Sequence, residues 1–470
     1  MNKIAFKGKL VIIGFGSIGQ GVMPLLMKHL SIKASQITVI TAESRGDDVA
    51  DHYGIEFIEQ ALDQGNYQQI LKPLLGKGDF LLNLSVEVSS IALIELCHSL
   101  GALYLDTCIE PWPGGYTDPS LTVSQRSNYA LRESALALRE KLGRKGPTAV
   151  IAHGANPGIV SHFVKEALLH LARDTGVNTA VPTDRAGWAA LAHTLNVKVI
   201  HIAERDTQVA GTPKEPGEFV NTWSIDGFVS EGCQPAEMGW GTHEKAIPAD
   251  GARHAFGCDA AIYLNRPGAG TRVRSWTPLE GPYHGFLVTH NESISIADYF
   301  TVRGSNGDAA YRPTVHYAYH PCDDAVLSLH ELAGKNWVMQ DRQRLIVEEV
   351  ISGIDELGVL LMGHAKGAYW YGSRLGTDET RRLVPFNNAT SLQVTAGVFG
   401  AMVWALENPD AGIMEADELD FARVMEVIKP YLGNMIGVYG DWTPLDDRET
   451  LFVEDLDKSD PWQFKNFRVI

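Results

Sequence analysis

Two sets of residues in this sequence could do chemistry. The first is three glycines spaced G-x-G-x-x-G, at Gly14, Gly16 and Gly19. Gly14 permits a tight turn, Gly16 has no Cβ and lets a pyrophosphate approach the backbone, and Gly19 lets a helix pack on the preceding strand. That spacing points to a bound dinucleotide and hence to hydride transfer. The second set is Glu204, Trp223, Glu231 and His290, each in a loop near a strand-like run. Carboxylates around a tryptophan make a cation site. An ammonium over an indole gains roughly 0.5–2 kcal/mol, and a carboxylate adds a charge-assisted hydrogen bond. His290 has the intrinsic pKa of a proton carrier near neutral pH. Each of these residues also has a plainer reading, as a packing indole or a solvated loop acid. The sequence has no G-x-S-x-G and no H-E-x-x-H. His316 and His320 lie in a strand-like stretch where they would share no helical face, so no metal is expected.

The elements that hold the glycines read as β–α units. Residues 10–13 are an apolar, mostly β-branched strand, and apolar residues at helical spacing then run to about Ser31. The N-terminus of that helix offers free N–H groups and a positive dipole end to phosphates. Residues 37–41 are the second strand. Glu43 follows at about the ~20-residue distance at which an acid holds the adenosine ribose and repels a 2′-phosphate, favouring NAD over NADP. Arg45, able to accept a phosphate, argues the other way, and a solvated Glu43 is the plain alternative. Further strands are expected at 57–58, 79–84, 102–106 and 148–151, with helices at 91–97, 130–142 and 159–172. Asn83 and Ser85, at the carboxyl end of a strand, could reach the cofactor or simply satisfy their own loop. The loop 106–116 is interrupted by Pro111 and Pro113 and holds Glu110 among carboxylates and aromatics suited to amines.

These units make a doubly wound parallel sheet of the Rossmann type over residues 1–180. From 183 to 385 the texture changes to strands without intervening helices, at 197–202, 285–289, 314–319 and 344–350, and a hairpin of 358–362 with 368–371. This predicts a second α+β domain with a mixed, largely antiparallel sheet, for substrate and dimerisation. A returning segment, about 386–470, completes the first domain with a long helix at 390–406. Its most apolar part, 394–406, is too short to span a bilayer. A further helix is expected at 421–432, and the tail from Tyr439 to wrap the surface or meet a second subunit.

The formal net charge of −17 argues against nucleic acid or an anionic membrane as partner and favours a cationic substrate. Five cysteines without C-x-x-C spacing fit free thiols in a reducing compartment, and no signal peptide is visible, so a cytoplasmic protein is expected.

Four stretches carry a resemblance: Ile12-Ile13-Gly14-Phe15-Gly16-Ser17-Ile18-Gly19-Gln20-Gly21, the loop from Tyr104 to Trp112, His153-Gly154-Ala155-Asn156-Pro157-Gly158, and the run from Asn387 to Val394. Together with Asn221-Thr222-Trp223-Ser224 and Gly239-Trp240-Gly241-Thr242-His243-Glu244 they resemble the bacterial homospermidine synthases, relatives of the saccharopine dehydrogenases. The resemblance covers the whole chain. It implies an NAD-dependent aminobutyl transfer in a homodimer. One putrescine is oxidised to an imine, a second diamine displaces ammonia, and the new imine is reduced by the same cofactor. It carries over Glu110, Asn156, Glu204, Trp223, Glu231 and His290 as site residues, and Ser17, Ile18, Thr107, Ala155 and Asn156 as further cofactor contacts. Two rival readings stay open. A saccharopine- or carboxynorspermidine-type NAD(P)-dependent dehydrogenase would need a cation for a substrate carboxylate, such as Arg185, Arg205 or Arg312. A non-enzymatic NAD sensor is the other.

Overall fold

Seven parallel strands form the first of two main sheets in the computed structural model, which describes residues 3–470. Residues 1 and 2 of the expected first domain lie outside the described residues. The strands are β1 (Leu10–Ile13), β2 (Ile37–Thr41), β3 (Glu56–Glu59), β4 (Phe80–Asn83), β5 (Leu103–Asp106) and β6 (Gly146–Ile151), with Ala411–Glu415 as the seventh. Their spatial order is 411–415, β6, β5, β4, β1, β2, β3. The order reverses between β1 and β4, and ligands of such sheets sit at the carboxyl ends beside that switch point. All residues of β1, β4 and β5 are buried, which suits a parallel sheet covered on both faces. Helix α1 (Ser17–His29) leaves β1 through a turn in which Gly14 has φ +83°. A Cβ there would stand 2.7 Å from the Leu84 carbonyl oxygen, so only glycine fits.

Eleven strands form the second sheet. Helix α2 (Ile159–Thr175) crosses to it and packs on two of its strands. Its centre is β7 (Val199–Asp206), followed in sequence by α3 (Ile225–Cys233), β8 (Pro235–Gly239), α4 (Asn291–Tyr299) and β9 (Thr314–His320). The hairpin of β10 (Ile354–His364) and β11 (Gly367–Gly376) comes next. β7 pairs in parallel with β9 and antiparallel with β10, and nearly every other pairing is antiparallel, so the sheet is mixed and largely antiparallel.

Three expectations for this half are corrected. Helices do intervene: Arg185–Thr194, α3, α4, Asp323–Gly334 and Thr377–Leu383. α3 contains Gly227 and Gly232, which weaken its helical signal, and α4 is buried at every position and so shows no polar face. The strand expected at 344–350 is two, Arg342–Leu345 beside Glu218–Asn221 and Val350–Ser352 beside Val209–Ala210. The strand expected at 285–289 is Gly281–Phe286.

Helix α5 (Ala389–Glu407) lies where the two sheets meet, touching α1, β5, β10 and β11. At 19 residues it is long and apolar enough to cross a membrane, beyond the 394–406 core read from sequence, but 89% of its apolar window is buried inside the fold. Beyond 411–415 the tail departs from the expected return to the first sheet. Asn434–Gly440 pairs with β11 and Arg468–Val469 with Arg272–Thr277, both in the second sheet. Trp442, Trp462 and Phe467 pack there with Trp370. The 239–244 motif moors this tail: the Glu244 carboxylate accepts the Phe464 N–H at 3.0 Å, and Gln463 Nε2 donates to the His243 carbonyl at 2.8 Å.

Candidate active site

The carboxyl ends of β1, β2 and β4 open into a cleft of about 330 Å³ lined by Gly14, Gly16, Ser17, Ile18, Gly19, Glu43 and Ser85. A Cβ on Gly16 would meet nothing within 4 Å, so the backbone there faces open space, and one on Gly19 would stand 2.7 Å from the Gly14 carbonyl oxygen. Gly16 is the N-cap of α1 and no side chain caps the helix, which leaves its first N–H groups free for an anion. The cradle therefore fits a pyrophosphate. Glu43 lies just past β2 in the same cleft, 3.7 Å from the Arg45 guanidinium. Asn83 does not line it. Its side chain is buried, donates to the Tyr104 hydroxyl at 3.3 Å and accepts from Ser85 Oγ at 2.6 Å. A buried amide must be satisfied internally, so Asn83 orients Ser85 rather than facing the cleft.

A smaller cavity of about 100 Å³ adjoins the cleft, and the two share Ile18, Leu84, Ser85, Val86 and Ser224. Glu110, Asn156, Glu204, Trp223, Glu231 and His290 all line it, with Thr107 and Ala155. Both sheets contribute. Glu110 and Asn156 follow β5 and β6, whereas Glu204 belongs to β7 and His290 immediately precedes α4. Glu204 is thus inside a strand, not beyond it, and Glu231 is on α3, not in a loop. Trp223 stands in the turn between Glu218–Asn221 and α3.

The cavity is strongly polarised. Glu204 accepts from Asn156 Nδ2 at 3.1 Å and from the Tyr317 hydroxyl. Burial pushes its carboxyl up to about 8, against those hydrogen bonds, which favour the carboxylate. Glu110 accepts the Glu87 N–H at 3.2 Å and the Tyr116 hydroxyl at 3.3 Å, and burial raises it to about 7. His290 has a carboxylate on each ring nitrogen, Glu231 at 2.9 Å from Nε2 and Glu292 at 3.2 Å from Nδ1. Burial opposes its charge, but the two acids prevail and hold it well above the ordinary histidine range. Trp223 Nε1–H donates to the Tyr319 hydroxyl at 3.0 Å.

Sequence reasoning missed Tyr317, Gly227 and Thr390, which also line the cavity, and the acids behind it. Asp206 and Asp355 face each other across β7 and β10, both bond Thr390 Oγ1, and burial raises both. The available signal was acids within an apolar strand run, as at Asp355-Glu356 ahead of 357–362. Among the described residues no lysine or arginine lines the cavity. Arg185 pairs with Asp298, Arg205 with Glu280 and Asp323, and Arg312 donates to Thr301 and the Asp259 carbonyl. The arrangement can hold an ammonium, not a carboxylate.

Residues 10–150 match the family described as the saccharopine dehydrogenase NADP binding domain, and residues 154–441 the saccharopine dehydrogenase C-terminal domain. The homospermidine synthase of Blastochloris viridis is 57% identical over 466 residues, covering 98% of this chain and 97% of its own. That of Mesorhizobium japonicum is 53% identical over 469 residues, 98% of this chain and 96% of its own. The crystal structure of the Legionella pneumophila homospermidine synthase in complex with NAD superposes with a TM-score of 0.93 at 51% identity, over 100% of this chain and 99% of that one. Saccharopine dehydrogenase from Saccharomyces cerevisiae shares the fold at a TM-score of 0.51 and 12% identity, over 92% of this chain and 100% of its own.

Proposed function

The chain belongs to the homospermidine synthases within the saccharopine dehydrogenase family, and we propose that its shared cavity is where one diamine becomes the aminobutyl donor for another. It is an aminobutyl-transferring enzyme and its cofactor is NAD. The family description names NADP, but the relative at 51% identity holds NAD, and the carboxylate of Glu43 at the cleft, which would repel a 2′-phosphate, supports the same cofactor here. When bound, NAD takes a hydride from the amine-bearing carbon of putrescine and returns it to the final imine.

The observation that carries the reading is that six residues from both halves of the chain meet in one cavity opening onto the dinucleotide cleft, with three carboxylates and an indole but, among the described residues, no lysine or arginine. Asn156 and Glu204 hold the reacting amine beside the cleft. With its carboxyl raised to about 8, ionised Glu204 can take the proton that this amine must lose before hydride leaves its carbon, while Asn156 orients it. Trp223 faces the cation or iminium. Glu231 and Glu110 hold the distal ammonium, and His290, already bonded to Glu231, orients the second amine or passes its proton. The second amine then adds to the imine carbon, ammonia leaves, and the new C=N bond is reduced. Glu110, Glu204, Glu231 and His290 are buried and Asn156 and Trp223 half-buried, which keeps water from the imine in between.

We assign the dinucleotide domain to residues up to about 180 with the returning strand, and the substrate domain to 183–385 with the tail strands. The five free thiols support a cytoplasmic enzyme, and the exposed apolar run Leu451-Phe452-Val453 supports a homodimer. The test is to incubate the protein with putrescine and catalytic NAD⁺ while following ammonia, NADH absorbance and polyamines. Homospermidine and ammonia over many turnovers per NAD, with no NADH build-up, is the expected result. NADH rising with product would make it a plain dehydrogenase.

A further inference from the structure

Tyr319 touches neither cavity, yet it is fully buried on β9 and takes the only hydrogen bond that an indole can give, from Trp223 Nε1 at 3.0 Å. Two positions earlier on the same strand, Tyr317 donates to Glu204. Residues i and i+2 of a strand share a face, and the two tyrosine rings stack at 5.0 Å with planes 11° apart. The Tyr-x-Tyr pair therefore grips the carboxylate with one hydroxyl and the indole with the other.

Trp223 lies in a turn, where the backbone alone does little to fix a ring. Its far edge rests over Gly227. A Cβ on Gly227 would stand 3.5 Å from Trp223 Cζ3 and 3.0 Å from Ser224 Oγ. Phe228 lies against the indole at 5.5 Å. The ring is thus pinned at its N–H and bounded at its six-membered edge. Cation attraction acts over the negative face of an indole and reverses toward its positive edge, so the plane of the ring decides its effect.

We propose that Tyr319 is a positioning residue that fixes the plane of Trp223 at the cavity wall, so that one strand sets both the indole and Glu204. This rests on the proposed role of Trp223 as the aromatic face for the substrate cation. The experiment is a double-mutant cycle on the full chain with NAD and putrescine: Tyr319→Phe, Trp223→Phe and both, with kcat, KM and thermal midpoints measured. Tyr319→Phe lowers kcat/KM about tenfold in the wild-type background with the pH profile unshifted, because Glu204 and Tyr317 are untouched. In the Trp223→Phe background, which has no N–H to hold, it changes kcat/KM less than twofold. An equal loss in both backgrounds overturns the proposal while leaving the role of Trp223 intact. Wild-type turnover by a folded Trp223→Ala overturns that role and the proposal with it. Should Tyr319→Phe fold poorly, Tyr319→Met removes the same acceptor and the cycle is read in the same way: a loss confined to the background that keeps Trp223 supports a fixed indole, and an equal loss in both overturns it.

Discussion

His290 Nε2 lies 2.9 Å from Glu231 Oε2, and the pair spans the cavity wall from the N-cap of α4 to the side of α3. With Glu292 on the other ring nitrogen, the imidazole is a buried cation between two acids. His290→Gln removes that charge and leaves both carboxylates without it. We expect kcat/KM for putrescine to fall on the order of 10²-fold, the lower end for loss of a proton-transferring group. The alkaline limb of the pH–rate profile, where the raised imidazole would lose its proton, should disappear. An unshifted profile would remove His290 from proton transfer.

Glu204 makes stability and activity depend on pH in opposite directions. Its carboxyl is raised from 4.5 to about 8, so between these values the folded protein holds a proton that the unfolded chain has released. Stability without substrate then declines as pH rises through that window. Binding an ammonium needs the ionised form, so kcat/KM rises across the same range, with Glu110, raised to about 7, contributing its lower part. Glu204→Gln cannot ionise. Its thermal midpoint should fall less between pH 5 and pH 9 than that of the wild type, the difference developing over the range in which the carboxyl titrates, while turnover is lost. Parallel declines would refute the assignment.

Two glycines of the first turn should fail in different ways. Gly16→Val places its side chain in open space, so thermal stability holds while NAD affinity, read by equilibrium dialysis, drops at least about tenfold, since the side chain takes the phosphate's place. Gly14→Ala forces a Cβ into a φ of +83° and to 2.7 Å from the Leu84 carbonyl. That variant loses roughly 1–3 kcal/mol of stability. Unchanged NAD binding by Gly16→Val would place the pyrophosphate elsewhere.

Arg45 lies 3.7 Å from Glu43, so removing the acid uncovers a cation in the same cleft. Glu43→Ser should weaken NAD and strengthen NADP, each by roughly tenfold, the value of about 1.4 kcal/mol. The measurement is the NADP⁺ concentration that supports half-maximal homospermidine formation. No gain for NADP would mean that Glu43 does not face the ribose.

Six strands of the first sheet were readable because most are local apolar runs, several followed by a helix of visible period; the seventh, 411–415, was missed because it pairs with β6, far earlier in the chain. β7 was cut short at Ile202 because Glu204, Arg205 and Asp206 read as the end of a strand; the sheet extends through them because Tyr317 bonds Glu204, Glu280 and Asp323 pair with Arg205, and Thr222 bonds Asp206, all from elsewhere in the chain. The same reason hid Tyr317 and Tyr319, which look like ordinary core until Glu204 and Trp223 are beside them. The six expected site residues do share one cavity, but the elements carrying Glu231 and His290 were misread, since α3 is broken by glycines and α4 has no exposed side.

The strand 411–415 pairs with β6, whose last residue is Ile151. During synthesis, at about 5–20 residues per second, β6 waits on the order of 10–50 s for its neighbour to be made. Until then the nascent first sheet carries an open edge, the kind of surface that captures strands of other chains. A fragment ending near residue 180 would keep that edge for good. The cofactor half should therefore be a poor candidate for expression by itself, and nascent chains of this enzyme should depend on protection until the ribosome has passed Glu415.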